Sequence, residues 1–390
     1  MMKKIYILFS LLKYLNFSIK ISIFKPKEEK FLVYDYLTGK IFSKLFHVTE
    51  ANYIFTRKEK VNLYIFFITI FNKIDGNKNF YFYYINNYIR ITNPKIILTI
   101  NDQDTNFWLL KNFFPKIIFV VIQNSLTFAG ENSVRLRLKE SGNTFKNLEV
   151  DYLFLYGKGK VQEFKKYLKV VKEVIPIGSF KNNLIKLKKI KKSNKIVYIS
   201  HFKNNLPTLR NELQYNIDKS TLDLLFNFSK KNKFKIFILN KQKEPSKLQI
   251  EEDYFKGILR NKNFTFMKVK NAYDHLDKYN YYVNTDSTLG YEALARGLKV
   301  AFLNYRTNYL HYRDNYYGFP LIKRRKGPFW TNSRNVKEFN RVMNFVVFSK
   351  NRDWQFIKVK YIKPIIEYDY GNKKFLITMT KYIKGIKLKK

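Results

Sequence analysis

The chain has 390 residues, which is enough for two domains that each bury a substantial core. Lys and Arg total 74 against 30 acidic residues, giving a net charge of +44, and the chain contains no Cys. The lack of Cys excludes disulfides and thiolate metal sites and favours an intracellular protein.

The positive charge is spread along the chain rather than concentrated in one stretch. Lys occurs throughout together with Ile, Asn, Tyr and Phe, the residues that an AT-rich genome favours, so part of the excess reflects composition. The remainder predicts attraction to anionic lipid or an anionic substrate. A basic nucleic-acid-binding protein is an alternative, because Tyr and Phe can stack on bases. Against it, the aromatic residues lie in strand-like and helix-like apolar patterns, and no nucleic-acid-binding motif is visible.

Residues 1–30 are predicted to form a basic amphipathic segment. Ile5–Leu12 is apolar and follows two lysines, but Lys13 and Lys20 interrupt the pattern. The run is too short and too charged to span a membrane. We expect a helix that lies on a membrane surface or packs on the first domain.

Strands alternate with helices between residues 31 and 180. The predicted helices are Thr38–Phe46, Val61–Phe71, Phe80–Ile91 and a segment around Phe107. The predicted strands are Phe31–Tyr34, Tyr53–Phe55, Lys95–Ile100, Ile117–Ile122, Val150–Tyr156 and Glu173–Ile177. Such alternation favours a parallel sheet with helices on both faces.

A charged stretch at residues 181–195 is predicted to be a linker, after which the alternation resumes in a second domain at residues 196–350. Its predicted helices are Thr221–Lys231, Leu289–Arg296 and Asn335–Phe348. Its predicted strands are Ile196–Ser200, Phe234–Leu239, Phe264–Val269, Tyr281–Asn284 and Lys299–Leu303. The tail at residues 351–390 is expected to return and pack on the first half.

The predicted fold class is therefore α/β, with two Rossmann-like domains facing across a cleft. In open parallel sheets, ligands bind at the carboxyl ends of the strands. Turn residues also collect there for structural reasons, so not every polar group at this edge need be functional. The polar residues at predicted strand ends are Asp35, Asn101, Asp102, Asp104, Gln123, Asn124, Gly178, Ser179, Ser200, His201, Thr285, Asp286, Ser287 and Thr288.

The strand, turn and helix between Tyr281 and Leu303 form the strongest candidate site. The turn consists of Thr285, Asp286, Ser287 and Thr288, and the helix N-terminus that follows suits a phosphate group. Gly290 permits close approach of a ligand to the backbone. Glu292 stands one helical turn after Thr288, a spacing that suits a ribose next to a phosphate. The alternative is an ordinary capped helix in which Glu292 pairs with Arg296.

Several segments resemble a family of bacterial surface-carbohydrate biosynthesis transferases that have the GT-B arrangement of two Rossmann-like domains. This family is distantly akin to capsule and glycerophosphate-polymer transferases. The Asp286–Gly297 segment carries the most specific likeness. The shorter matching segments are Phe31–Asp35, Asn101–Trp108, Ile122–Asn124, Ile177–Phe180, Ile199–Phe202 and Gly327–Trp330.

The resemblance implies a glycosyltransferase-type or polyol-phosphate transferase that needs no metal and no cofactor. The donor would be a nucleotide-activated sugar or a related compound, and the acceptor a glycan or a lipid-linked saccharide. No nucleic-acid partner is expected, and the chain would work in the cytoplasm, peripherally on the inner face of the membrane. The implied nucleotide or diphosphate ligands are Ser179, Thr285, Asp286, Ser287, Thr288, Gly290 and Glu292.

The resemblance also implies catalytic and acceptor-binding residues. Asp102 would be the general base with Asp104 as second candidate, and His201 would assist the departing diphosphate. Acceptor contacts would come from Asp35, Gln123 and Asn124. The alternative for Asp104 is a helix-starting acid, and for His201 a histidine hydrogen-bonded at a domain edge.

Other features of these segments leave alternatives open. The D-x-D spelling at Asp102 and Asp104 is also found in metal sites of the other large glycosyltransferase fold. Gln103 and Ser125 depart from the family pattern, which allows a degenerate transferase fold that acts as a binding protein. His47 and the basic run Lys323–Lys326 suit structural or solvated positions, and the basic run could also hold diphosphate or lipid.

Overall fold

The computed structural model describes residues 20–44, 51–57, 59–72, 80–102, 104–126, 148–165, 168–190, 193–203, 208–285, 287–305, 319 and 324–382. Residues 1–19, which carry most of the predicted amphipathic segment, lie outside this range, as do His47, Gln103, Asp286 and Lys323.

The first half of the chain forms a parallel sheet with the strand order β3-β2-β5-β6-β7-β8. Its strands are β2 (Phe31–Tyr34), β3 (Ala51–Ile54), β5 (Ile96–Thr99), β6 (Ile118–Ile122), β7 (Glu149–Leu155) and β8 (Lys169–Pro176). The helices of this half are α1 (Tyr36–Gly39), α2 (Leu63–Phe71), α3 (Phe80–Thr92), α4 (Thr105–Phe113) and α5 (Val161–Lys165). A separate parallel pair joins β1 (Lys20–Ser22) to β4 (Lys60–Asn62).

The second half forms a sheet with the strand order β11-β10-β9-β12-β13-β15-β14, parallel except for its last pair. Its strands are β9 (Lys195–Ile199), β10 (Lys235–Leu239), β11 (Thr265–Met267), β12 (Tyr281–Asn284), β13 (Lys299–Leu303), β14 (Lys326–Gly327) and β15 (Trp330–Thr331). The helices are α6 (Thr208–Asn232), α7 (Pro245–Leu259), α8 (Tyr273–Leu276), α9 (Thr288–Ala295), α10 (Val336–Phe348), α11 (Asn351–Ile357) and α12 (Lys373–Thr380).

The central strands are largely apolar, as expected for strands that are covered on both faces of the sheet. In the first sheet, alternate residues of β6 divide between two cores: Phe119 and Val121 pack in one, and Val120 and Ile122 in the other. Continuous apolar runs of this kind are typical of parallel strands that are buried on both sides. The prediction of two parallel α/β units is confirmed, and both sheets present their carboxyl ends to loops that carry the candidate residues.

Most element boundaries were predicted to within a few residues, but several elements were not. The helix predicted at Thr221–Lys231 begins much earlier, at Thr208, and helix α7 was not predicted. The helix predicted from Val61 begins two residues later, because Lys60–Asn62 pairs with β1 as a strand. Asn62 then caps α2 by accepting a hydrogen bond from the Ile65 N–H.

The C-terminal tail packs back on the first half, as predicted. Phe375 of α12 lies against Phe42, Phe154 and Phe180, with ring centroids 5.1 to 6.2 Å apart. The tail also closes on the chain between the two sheets, where Gly178 pairs with Tyr368. Gly178 has φ +81° and leaves no room for a Cβ atom, which would lie 2.0 Å from the Glu367 carbonyl oxygen.

Among the described residues, no helix is both long and apolar enough to cross a membrane.

Candidate functional site

The turn between β12 and α9 is held by its own side chains. Ser287 is the N-cap of α9, and its Oγ accepts a hydrogen bond from the Leu289 N–H at 3.3 Å. The Asn284 side chain accepts from the Ser287 N–H and donates to the Ser287 carbonyl, each at 3.1 Å. A Cβ atom on Gly290 would lie 2.4 Å from Asn284 Cγ, so this glycine has a packing role. Ser287 and Thr288 are half-buried at the N-terminus of the helix.

Glu292 lies at the junction of the two halves of the chain. It is buried, and its carboxylate accepts a hydrogen bond from Ser179 Oγ and from the Tyr273 hydroxyl, the latter at 2.9 Å to each oxygen. Burial raises the pKa of Glu292 to about 7. The hydrogen bonds from Ser179 and Tyr273 oppose this rise, and so do the positive charges of Lys181 and Arg296. The predicted ligands Ser179 and Glu292 are therefore brought into direct contact, although they are far apart in sequence.

Arg296 does not form the alternative pair with Glu292. Its guanidinium makes a two-point contact with the Asp277 carboxylate, with Nε 2.8 Å from Oδ1 and Nη2 bonded to Oδ2. The Nη1 group donates to Asn182 Oδ1 at 3.1 Å. This buried, bidentate pair fixes the C-terminal end of α9 to the segment that follows Ser179.

His201 lies at the carboxyl end of β9, next to the turn of β12. It is buried, and its Nδ1 is 2.7 Å from Thr285 Oγ1 and 3.9 Å from Asp218 Oδ1. Asp218 in turn accepts hydrogen bonds from the hydroxyls of Tyr198 and Tyr254. The predicted residues His201 and Thr285 are thus in contact, and a buried polar network from α6 and α7 supports the imidazole.

Glu251 of α7 holds the two loops that flank His201. Its carboxylate accepts hydrogen bonds from Ser200 Oγ and from the backbone N–H groups of Lys241 and Gln242. Burial raises the pKa of Glu251, and these donors oppose the rise. Because one carboxylate joins the loops after β9 and β10, it fixes the edge of the sheet at which His201 lies.

Asp102 and Asn124 are neighbours at the carboxyl edge of the first sheet. The Asn124 N–H donates to Asp102 Oδ1 at 3.1 Å, and Lys181 Nζ donates to Asn124 Oδ1 at 3.1 Å. Desolvation lowers the pKa of Lys181; Glu292 opposes this shift and Lys243 adds to it. Lys181 therefore connects the first-sheet residues electrostatically with Glu292, and Lys181 and Lys243 are both exposed.

Asp104 and Asp35 form a different group. Asp104 is the N-cap of α4, with its Oδ1 accepting from the Asn106 N–H at 3.0 Å, so it has the helix-starting role of the alternative interpretation. Its other oxygen accepts from the Tyr34 hydroxyl at 2.9 Å, and burial raises its pKa. Asp35 is fully buried with φ +70° and accepts a hydrogen bond from Arg57 at 3.2 Å.

Gln123 has a structural environment. Its Oε1 accepts from the Tyr156 N–H at 2.8 Å, and its Nε2 donates to the Ser125 carbonyl at 3.1 Å. Both ends of the amide are therefore used within the protein, and 2% of the residue is exposed. The acceptor-binding role of Asp35, Gln123 and Asn124 stays a prediction, and of the three Asn124 is the most exposed.

Four residues of this region were not singled out from the sequence: Lys181, Asp218, Glu251 and Tyr273. The sequence does carry a signal for Asp218. It lies one helical turn after Gln214 and close to Thr221, so these polar residues form a stripe on the buried side of α6. Lys181 was assigned to a linker because its neighbours are charged. The sequence carries no signal for Tyr273, an isolated aromatic residue in a short loop. Asp286 and Gln103 lie outside the described residues, and no group of three or more His, Asp or Glu that suits a metal ion occurs within them.

We expect Glu292→Gln to reduce the pH dependence of stability. The pKa of Glu292 rises from 4.5 to about 7 on folding, so the folded chain binds this proton more tightly. Binding of this proton therefore stabilises the folded chain by up to about 3 kcal/mol. This stabilisation is complete below about pH 4.5 and is lost as the pH rises through about 7. The free energy of unfolding in urea, measured at about pH 5 and about pH 8, should fall less in the variant than in the wild type.

Glu338→Gln is the matched control. Hydrogen bonds from Arg341 lower the pKa of Glu338, so its titration lies below this pH window. Equal losses of stability in the wild type and Glu292→Gln between the two pH values would contradict the assignment of the shift to Glu292.

The comparisons with solved structures establish the fold. The chain is similar to a "putative UDP-N-acetylglucosamine 2-epimerase" from Listeria monocytogenes, with a TM-score of 0.55, 11% identity, and 91% and 96% of the two chains covered. It is also similar to the UDP-GlcNAc 2-epimerase from Neisseria meningitidis, with a TM-score of 0.50, 12% identity, and 93% and 100% covered. The wall teichoic acid polymerase TagF gives a TM-score of 0.50 at 10% identity, with 91% and 89% covered. The predicted GT-B fold is confirmed.

The family comparison concerns the sequence itself. No curated protein matches the chain. Residues 120–383 match the model of a family described as "putative O-antigen biosynthesis protein". This match spans well over half of the chain and includes both His201 and the β12–α9 unit. The predicted relation to surface-carbohydrate biosynthesis is confirmed, and the chain belongs to this O-antigen biosynthesis family.

Proposed function

We propose that the chain is a GT-B glycosyltransferase of bacterial surface polysaccharide synthesis. It transfers a sugar from a nucleotide-activated donor to a glycan or lipid-linked acceptor. The observation that carries this proposal is the convergence of Glu292, Ser179 and Lys181 beside the N-terminus of α9, where the two halves of the chain meet. Membership of the O-antigen biosynthesis family supports it.

The donor is proposed to bind on the second half. The N-terminus of α9 offers backbone N–H groups and the hydroxyls of Ser287 and Thr288 to a diphosphate. Exposed Lys181 adds positive charge close to Glu292, and exposed Lys243 lies close enough to affect Lys181. Glu292 would then accept hydrogen bonds from the ribose hydroxyls in place of those from Ser179 and Tyr273. A nucleotide donor is in keeping with the Neisseria structure, which was solved with UDP-GlcNAc bound.

The reaction is proposed to use Asp102 as general base and His201 at the leaving group. An acceptor hydroxyl oxygen forms a bond to the anomeric carbon, and the bond from that carbon to the diphosphate oxygen breaks. Asp102 takes the hydroxyl proton, while His201 and the helix N-terminus stabilise the departing diphosphate. Cationic side chains and backbone N–H groups offset the negative charge of the departing diphosphate, so the proposed reaction needs no metal and no cofactor. Asp104 has a secondary role at most, since it caps α4.

Nucleotide binding can be tested without a known acceptor. In a thermal-shift panel of UDP-, GDP-, CDP- and CMP-linked sugars, at least one donor should raise the melting temperature. Three variants should each weaken donor binding about fivefold or more, which corresponds to about 1 kcal/mol of binding free energy. They are Glu292→Ala, Lys181→Ala and the double change Ser287→Ala with Thr288→Ala. Lys230→Ala, an exposed lysine at the end of α6, serves as control.

The affinity for the nucleotide donor should be the same in the presence of EDTA, since the proposed site needs no metal ion. Unchanged affinity for the nucleotide donor in all three site variants would contradict the assignment of the donor site. A donor that binds only with added Mg²⁺ would contradict the metal-free proposal and direct attention back to Asp102 and Asp104.

Turnover tests the general base. Once an acceptor is identified, Asp102→Asn should lower kcat by about 100-fold, with the affinity for the donor nearly unchanged because this residue lies on the first sheet. Asp104→Asn should lower kcat less. Product analysis decides the reaction class: conversion of the donor sugar in the absence of an acceptor, or transfer of a polyol phosphate, would overturn sugar transfer.

Peripheral contact with an anionic membrane is proposed for the first half, at the cytoplasmic face. Helix α2 exposes Tyr64, Phe67 and Phe71 on one side, and β1 with the residues that follow it exposes Ile21, Ile23 and Phe24. β1 packs beside α2, and we propose that these side chains form one apolar surface. Exposed lysines at positions 20, 25 and 27 border it. An apolar patch bordered by basic residues is typical of proteins that bind anionic lipid.

The double change Phe67→Ser with Phe71→Ser should reduce sedimentation with phosphatidylglycerol vesicles several-fold, and salt should release the wild-type protein. Phe348→Ser removes a similarly exposed aromatic side chain on the second half and should leave sedimentation unchanged. If the double variant sediments as well as the wild type, the α2 surface does not contact the membrane.

A further inference from the structure

A cavity lies beside the loop that carries His201, between the first turns of α6 and the middle of α7. Its volume is about 460 Å³, within the range of roughly 300 to 1,000 Å³ that small-molecule sites occupy. The lining side chains that matter here are Phe202, Asn211, Glu212, Tyr215, Asn216 and Tyr254. We call this cavity the α6–α7 pocket.

Aromatic rings form one wall of the α6–α7 pocket. The rings of Phe202 and Tyr254 are 4.8 Å apart at their centroids, and Tyr215 meets Tyr254 edge to face at 6.1 Å. Phe202 is buried, whereas Tyr215 and Tyr254 are half-buried. Tyr215 and Tyr254 each leave part of the ring accessible. An accessible aromatic ring suits the C–H face of a pyranose ring, which gains dispersion contacts without losing the hydration of its hydroxyls.

Polar side chains of α6 also line the pocket. Asn211 and Tyr215 stand four residues apart, as do Glu212 and Asn216, so the four line one side of the helix. Glu212 and Asn216 are exposed and offer a carboxylate and an amide group to a ligand. Such groups recognise hydroxyls through hydrogen bonds.

Among the described residues, the lining of the pocket balances one cationic side chain against one anionic one, although the chain as a whole is strongly basic. Lys203 is the cationic side chain of the lining and Glu212 the anionic one, and both are exposed. A phosphate-binding site would gather cations and exclude a carboxylate. The lining therefore favours an uncharged ligand that carries hydroxyl groups.

The pocket is connected to the candidate site through Tyr254 and Phe202. The Tyr254 hydroxyl donates to Asp218 Oδ2 at 2.8 Å, and the other oxygen of Asp218 is 3.9 Å from His201 Nδ1. Phe202 directly follows His201 in the chain. A ligand in this pocket would thus lie at the same sheet edge as the proposed leaving-group site.

We propose that the α6–α7 pocket binds a neutral sugar residue of the acceptor glycan, an inference that rests on the proposed transferase function. In this proposal the second half holds part of the glycan as well as the donor, with the sugar packed on Tyr215 and Tyr254.

The test measures binding of methyl glycosides to the full chain by saturation-transfer NMR and calorimetry. The probes are the methyl glycosides of glucose, galactose, mannose, rhamnose and N-acetylglucosamine, at up to about 20 mM. At least one should bind with a millimolar Kd. Tyr215→Ala should weaken binding about tenfold, whereas Tyr215→Phe keeps the ring and should stay within about twofold. Asn216→Ala should weaken binding about fivefold.

Asn227→Ala is the matched control, because this asparagine is exposed on the same helix but outside the pocket. Saturating nucleotide donor should not displace the glycoside, since the two bind at different places. The proposal is overturned if no probe binds, if Asn216→Ala and Tyr215→Ala both bind like the wild type, or if the nucleotide competes. Failure of nucleotide binding together with intact glycoside binding would refute the proposed donor site and leave the pocket standing as a saccharide site.

Discussion

The buried carboxylate of Glu292 is the contact on which the arrangement of the two halves depends. It takes hydrogen bonds from Ser179, which follows the last strand of the first sheet, and from Tyr273 of the second half. A carboxylate removed from water is costly unless donors surround it, and here the donors come from both sides of the junction. Burial raises the pKa of Glu292, and the hydrogen bonds from Ser179 and Tyr273 oppose the rise.

Further contacts hold the same junction and explain why it has one geometry. Arg296, at the end of the helix that carries Glu292, is fixed by Asp277 and Asn182. Asn183 bonds to Asn372 of the tail, and the tail residue Glu367 donates its N–H to the Tyr156 carbonyl. Each of these groups is buried or half-buried, so a change at one leaves a partner without its hydrogen bond. The tail therefore contributes hydrogen bonds to the residues at this junction.

The sequence predicted the parts of the fold that depend on local patterns. Strand β12, the turn at Ser287 and helix α9 follow from apolar periodicity, an N-cap residue and a stop at Gly297, all of which are readable within a short window. Contacts between distant residues were not predictable in this way. Tyr273 and Ser179 meet Glu292 only because two sheets and a linker bring them together. The alternative pairing of Arg296 with Glu292 inside their helix does not form, because a bidentate contact with Asp277 gives better geometry than an i+4 pair.

The same distinction applies to the two aspartates of the first sheet. Asp102 and Asp104 are two residues apart and look equivalent in the sequence, yet their surroundings differ. Asp104 begins α4 and accepts the Asn106 N–H, an interaction that any helix start can use. Asp102 instead accepts a hydrogen bond from the N–H of Asn124, which follows the neighbouring strand. Asn124 in turn accepts a hydrogen bond from Lys181, which interacts electrostatically with Glu292. A base that serves an acceptor must lie within reach of the donor, and this chain of contacts places Asp102, rather than Asp104, on the side of the junction where the proposed donor binds.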